Sequence, residues 1–125
     1  MAEVILIVDD EPDILNLVKR FILREKYDVL TAESGEEALE KISKHKVDLM
    51  ILDINLPGID GWEVCRKVRS SPTYNALPII MLTIRSSDEN KTKGYSIGAD
   101  EYMSKPFTRK ELVTRIKTVL KRTGS

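Results

Sequence analysis

The sequence predicts an α/β protein built on a doubly wound, mostly parallel sheet of five strands with helices on both faces. Two observations carry that expectation. Val4–Val8, Leu49–Leu52 and Pro78–Leu82 are short runs that are apolar at every position. They are too short for helices, and unbroken apolarity marks strands buried on both faces, as in a parallel sheet covered by helices. The stretches between them carry helical spacing, so the order reads βαβαβαβαβα. Right-handed crossovers restrict the topology further.

The elements follow in chain order. Val4–Val8 is the first strand. Pro12 sits where a first helical turn tolerates proline, and Ile14, Leu15, Val18, Phe21 and Ile22 form one apolar stripe behind it. Residues from Tyr27 to Ala32 are mixed in polarity and suit an edge strand. Ser34 is placed to cap a second helix that turns Ala38, Leu39 and Ile42 inward. After the Leu49–Leu52 strand, Gly61 opens a third helix with Val64, Cys65 and Val68 inward. The fourth strand is Pro78–Leu82. Ser86 and Glu89 have capping-box spacing for a fourth helix, which has few apolar positions and is expected to be weakly held. Glu101–Met103 is a short fifth strand. Thr108 and Glu111 form another capping box, followed by Leu112, Ile116, Val119 and Leu120 at the spacing of a buried helical face. Lys117, Lys121 and Arg122 suit the negative end of that last helix.

The 125 residues suit a single domain, expected over residues 1–122 with a short tail at 123–125. Lysine plus arginine number 20 and aspartate plus glutamate 20, so no net charge draws the domain to nucleic acid or to an acidic membrane. No apolar run approaches the roughly 20 residues that span a bilayer. The start of the chain lacks a signal-peptide pattern. A lone cysteine, Cys65, cannot form an internal disulfide, and the expected compartment is the cytoplasm.

In sheets of this kind ligands bind beyond the carboxyl ends of the strands. The residues just after each apolar run are therefore the informative ones. They are Asp9, Asp10 and Glu11; then Asp53, with Asn55, Pro57 and Gly58; then Thr83 and Ile84; then Lys105 and Pro106. Folding would bring three aspartates, a hydroxyl and an ammonium to one edge. Clustered carboxylates take up protons or bind a cation, and an all-oxygen set that also handles phosphate suits Mg2+. Lys105 offers a point charge for a carboxylate or a phosphoryl oxygen, and Thr83 a hydrogen bond. Asp53 beside a divalent ion is a candidate phosphoryl acceptor through an acyl phosphate. Each residue alone has a plainer reading: Asp10 as a helix cap, Thr83 as a strand end, Lys105 as a solvated side chain. Their joint occurrence at consecutive strand ends favours the site. His45 reads as a surface residue, and Cys65, Trp62 and Met81 as packing residues.

Taken together, these residues resemble the receiver domains of two-component response regulators, the fold of the chemotaxis regulator. The likeness rests on Val8-Asp9-Asp10-Glu11, Leu52-Asp53-Ile54-Asn55-Leu56-Pro57-Gly58-Ile59-Asp60-Gly61, Leu82-Thr83, Gly98-Ala99-Asp100-Glu101-Tyr102 and Lys105-Pro106-Phe107. It covers nearly the whole chain. It implies a flavodoxin-like fold with strand order 2-1-3-4-5. It further implies that Asp53 takes a phosphoryl group from a histidine kinase or phosphotransfer domain. Asp10 and Asp53 would ligate Mg2+ directly, Asp9 through water and Asn55 through its backbone carbonyl. Thr83 and Lys105 would hold phosphoryl oxygens, with a cis Lys105–Pro106 peptide. Thr83 and Tyr102 would form the switch pair, the hydroxyl moving to the phosphate and the ring turning inward. The output surface would be the fourth helix, fifth strand and fifth helix. Ile84 departs from the small residue usual in the family and would shield the site.

The last third also resembles receivers that precede a winged-helix DNA-binding domain. There Lys91, Glu101, Glu111 and Arg115 match charges paired across a homodimer, and Ile14, Pro106 and Phe107 would meet the kinase. The domain itself would touch neither nucleic acid nor membrane. It would be a switch rather than an enzyme, with only weak phosphotransfer and self-hydrolysis. Two other functions compete. A Mg2+-dependent aspartyl phosphatase needs an acid two residues beyond its nucleophile, where Asp53 is followed by Asn55 and Asp9 by Glu11. A flavin carrier needs an anion-binding loop, which Asp9-Asp10-Glu11 would make repulsive.

Overall fold

The computed structural model describes residues 2–83 and 98–122. The described elements run β1 (Val4–Val8), α1 (Pro12–Leu23), β2 (Asp28–Ala32), α2 (Gly35–Lys44), β3 (Leu49–Asp53), α3 (Gly61–Ser70), β4 (Ile79–Thr83), β5 (Glu101–Ser104) and α4 (Arg109–Arg122). The last of these is the helix expected fifth. The expected fourth helix, with Ser86, Glu89 and Lys91, lies outside the described residues, as does Ile84.

The five strands form one parallel sheet in the order β2-β1-β3-β4-β5. This is the flavodoxin-like order that the resemblance implied. Alternation along the strands divides the core in two. Leu6, Val8, Met50, Leu52, Ile79 and Met81 face α2 and α3, meeting Ala38, Ile42, Val64, Cys65 and Val68. Ile5, Ile7, Leu49, Ile51, Ile80 and Leu82 face the other way, onto Leu15, Val18 and Ile22 of α1 and Leu112, Ile116, Val119 and Leu120 of α4. Burying one such side chain contributes about 1.5–3 kcal/mol. β1, and β3 and β4 up to their last residues, are apolar at every position because both faces are covered.

Helix ends follow their capping residues. Ser34 Oγ accepts from Glu37 N at 3.1 Å. Asp60 Oδ1 accepts from Glu63 N at 2.9 Å. Thr108 Oγ1 accepts from Glu111 N at 3.1 Å, and Thr108 N donates back to Glu111 Oε1 at 3.3 Å, a reciprocal box. Several boundaries differ by a residue from the sequence reading. β4 begins at Ile79, since Pro78 has no N–H to give a ladder, although its carbonyl accepts from Met50 N at 2.9 Å. β2 begins at Asp28. β3, β4 and β5 run one residue further than expected, to Asp53, Thr83 and Ser104. Asp53 and Thr83 are therefore the last residues of neighbouring strands.

Candidate phosphoacceptor site

Asp9 leaves β1 fully buried, its N–H bonded to the Ala32 carbonyl at 3.1 Å. Its Oδ1 accepts from Glu11 N at 3.0 Å, and this turn delivers the chain into α1. Glu11 occupies the position before α1 and makes no side-chain cap bond. The cap reading of Asp10 therefore does not hold: Asp9 orders the turn. Asp10 is exposed and forms no hydrogen bond or ion pair with the described residues.

Asp53 closes β3 and is 3% exposed. Its Oδ1 accepts from Asn55 N at 3.2 Å. The next peptide is held to β4 by the Ile54 N bond to the Leu82 carbonyl at 3.0 Å. Asp9, Asp10 and Asp53 each offer one carboxylate oxygen, and these three atoms lie within 4.8 Å of one another. Lys105 reaches in from the end of β5. Its Nζ donates to Asp9 Oδ2 at 2.9 Å and lies 3.6 Å from Asp53 Oδ2. Its backbone N donates to the Thr83 carbonyl at 2.6 Å, and the Lys105–Pro106 peptide is cis, as the resemblance implied. Thr83 and Tyr102 are both 3% exposed, and their side chains share a hydrogen bond. The Tyr102 ring is thus inward in this structure.

The electrostatics follow from burial and crowding. Burial, then the Asp9 charge, pushes the Asp53 carboxyl up from an ordinary 3.8 to about 6. Lys105 and the Asn55 hydrogen bond work against that rise. Burial penalises the Lys105 ammonium, but its hydrogen bond to Asp9 and the nearby carboxylate charges outweigh that penalty, and its pKa is raised. Burial raises the Tyr102 hydroxyl, with the Thr83 bond opposing. Two buried carboxylates and one buried ammonium leave negative charge in excess beside the exposed Asp10. The donors are all oxygen, so the set fits a hard divalent cation. Both Asp9 oxygens already hold protein partners, whereas Asp10 is open.

The remaining expected residues are more dispersed. Ile14 on α1 and Phe107 are half-buried and pack on the same core cluster, and Pro106 is exposed. Glu101 is paired within the chain, to Arg115 at 3.0 Å and Arg122 at 3.4 Å, while Glu111 caps α4. Glu101, Glu111 and Arg115 line a groove of about 400 Å³ with Lys110, Thr114 and Thr118. Asn55 is exposed in the loop after Asp53.

One cluster escaped the sequence reading. Arg69 on α3 donates to the carbonyls of Gly98, Asn75 and Leu77 at 2.8, 3.2 and 2.6 Å, and to Asp100 Oδ2 at 2.8 Å. Asp100 Oδ2 also accepts from Ile79 N at 2.8 Å. This clamp ties α3 to the starts of β4 and β5. Gly98 and Asp100 lie 29 and 31 residues from Arg69 in the chain, and no local pattern announces their meeting.

The family model for the response regulator receiver domain matches residues 5–117. The regulatory protein VanR of Enterococcus faecium is 47% identical over 122 residues, covering 98% of this chain and 52% of that protein. The alkaline phosphatase synthesis transcriptional regulatory protein PhoP of Bacillus subtilis (strain 168) is 44% identical over 122 residues, with 98% of this chain and 50% of that protein covered. The chain thus spans about half the length of these curated relatives. Among solved structures, chemotaxis protein CheY4 of Vibrio cholerae superposes with a TM-score of 0.91 at 35% identity, covering 95% of this chain and 99% of that one. A CheY-like receiver from Methanospirillum hungatei JF-1 gives 0.92 at 33%, covering 99% and 98%. Among the described residues no helix is long and apolar enough to cross a membrane. A family match over most of the chain, a shared strand order and an acidic cluster at the strand ends lead to one conclusion: the chain belongs to the response regulator receiver domain family.

Proposed function

We propose that Asp53 is the phosphoacceptor of this receiver and that the phosphoryl group reaches it from a phosphohistidine on a sensor kinase or phosphotransfer domain. The observation that carries the reading is the three-carboxylate cluster with Lys105 between Asp9 and Asp53. A carboxylate oxygen of Asp53 attacks phosphorus, the P–N bond breaks, and the imidazole leaves and takes up a proton. With its pKa near 6, Asp53 is mostly ionised at neutral pH and ready as the nucleophile.

Asp10 and Asp53 would hold Mg2+ directly, with Asp9 through water and Asn55 through its carbonyl. Bound there, such an ion would neutralise charge gathered on the phosphoryl oxygens. Lys105, whose Nζ lies near both Asp9 and Asp53, would bond one phosphoryl oxygen, and Thr83 another. When the Thr83 hydroxyl turns to the phosphoryl group, it gives up Tyr102, and this changes the surface of the fourth expected helix, β5 and α4. Water attack on phosphorus later breaks the P–O bond to Asp53 and frees orthophosphate, so the domain is a slow, self-resetting switch.

The face carrying Glu101, Glu111 and Arg115 is the proposed surface of a phosphorylation-promoted homodimer, with Lys91 joined to it by the resemblance alone, and Ile14, Pro106 and Phe107 are proposed for kinase contact. A cytoplasmic site of action fits a lone buried thiol and a kinase partner. Intact mass after incubation with acetyl phosphate and Mg2+ tests the reading. One phosphoryl increment on the wild type and none on Asp53→Ala is expected. Sustained turnover of a general phosphomonoester would instead point to a phosphatase, and an unchanged sedimentation profile with an acyl-phosphate mimic would remove the dimer.

A further inference from the structure

We infer that Gly61 is a positioning residue for the acceptor, an inference that rests on Asp53 being that acceptor. Gly61 is the first residue of α3 and is buried. Its N–H donates to the Ile54 carbonyl at 2.9 Å. A methyl group at Gly61 would lie 2.4 Å from the Asp53 carbonyl oxygen, 2.7 Å from Ile54 Cα and 3.1 Å from the Asp53 carbonyl carbon. Carbon pairs pack at about 3.5–4.0 Å, so the overlap is on the order of 1 Å. All three atoms belong to the peptide that follows the Asp53 side chain, and no rotamer change relieves them. Positive φ is not the reason for glycine here, since Gly58 and Gly98 are the described glycines with that conformation. The requirement is space.

Both sides of the contact are held. α3 is anchored by Trp62, Val64, Cys65 and Val68, all buried. The Asp53–Ile54 peptide is anchored to β4 through Leu82. A methyl wedge between them shifts both, and a shift of the peptide swings the carboxylate that faces Lys105 and the Asn55 N–H. In-line transfer tolerates such error poorly: a displacement of about 1 Å can cost on the order of 100-fold. The absent side chain at Gly61 therefore sets the acceptor's place, and the helix that follows acts as its backstop.

The test separates rate from stability. Gly61→Ala and Val68→Ala are compared with the wild type for thermal unfolding and for labelling rate by acetyl phosphate at saturating Mg2+. Val68 lies further along α3, so its truncation weakens the same helix by core loss alone. At least a tenfold loss of rate per folded molecule is expected for Gly61→Ala, with Val68→Ala within about twofold of wild type. A Gly61→Ala rate equal to wild type overturns the inference, as does an equal loss in Val68→Ala at equal destabilisation. Should Gly61→Ala not fold, the wild type still decides. The Gly61 amide resonance should move on phosphorylation while that of Val68 stays, and an unmoved Gly61 amide overturns the inference. Failure of the acceptor reading shows separately, as a wild type that takes no label, and removes this inference with it.

Discussion

Replacing Asp53 with asparagine should stabilise the metal-free protein at neutral and higher pH, and the gain should disappear in acid. Asp53 is 3% exposed, and burial, followed by the Asp9 charge, raises its pKa from 3.8 to about 6. The folded chain therefore binds this proton more tightly than the unfolded chain. Between the two values the folded state holds the extra proton, so stability falls as pH rises. Above about pH 6 the full cost of the buried charge is present, and below about pH 4 none of it is. The rise from 3.8 to about 6, at about 1.4 kcal/mol for each tenfold change in proton affinity, sets an upper figure of about 3 kcal/mol. Asparagine keeps the shape and the Asn55 hydrogen bond while removing the charge. The expected gain of about 1–3 kcal/mol corresponds to a Tm rise of about 4–12 °C for a chain of this size. The assay is thermal unfolding followed by circular dichroism in the presence of EDTA, for both proteins, at about pH 8 and about pH 4. Other carboxylates lose stability in acid equally in the two proteins, so the difference between them isolates Asp53. Mg2+ should then narrow the gap at high pH, because it binds the folded wild type more tightly than the variant. No gain at about pH 8, or a gain of the same size at both pH values, would refute the reasoning.

Two further outcomes follow from the same geometry. Lys105→Met leaves buried Asp9 without its 2.9 Å partner, and a loss of about 3–5 kcal/mol is expected in urea unfolding at neutral pH. Because the raised Lys105 pKa reflects stabilisation of its charged form, the wild type should in turn lose this contribution as pH rises through that raised value. Arg69→Ala strips donors from three carbonyls and breaks a half-buried pair with Asp100, so about 2–3 kcal/mol should be lost in the same assay, while phosphorylation by acetyl phosphate persists in the folded fraction.

Much of this was legible in the sequence because the physics is local. Unbroken apolar runs mark strands covered on both faces, and the two core clusters show why Ile5 and Leu6 must both be apolar. Ser34 and the Thr108–Glu111 box announce helix starts through side chains that satisfy otherwise open N–H groups. The acidic cluster was readable because parallel strands end on one edge, so Asp9, Asp53 and Thr83 fall together once β1, β3 and β4 are neighbours. Asp10 was ambiguous between cap and ligand. The Glu11 N–H bond to Asp9 Oδ1 removes the cap reading, and that bond depends on side-chain direction. The Arg69 clamp and the Gly61 contact stayed hidden for the opposite reason. Each joins segments whose proximity depends on the finished fold, and glycine looks the same in a turn as under a carbonyl. Asp60 did carry a local signal, an N-cap three residues before Glu63, which a fuller reading of helix starts would have used.

The most direct test is chemical mapping of the label. Treating the phosphorylated protein with borohydride reduces an aspartyl phosphate to homoserine, and peptide mass spectrometry then locates the altered residue. Homoserine at position 53, dependent on both Mg2+ and phosphodonor, is the predicted result. Homoserine at position 9 or 10 instead, or a label that resists reduction, would contradict the assignment of Asp53 as the acceptor.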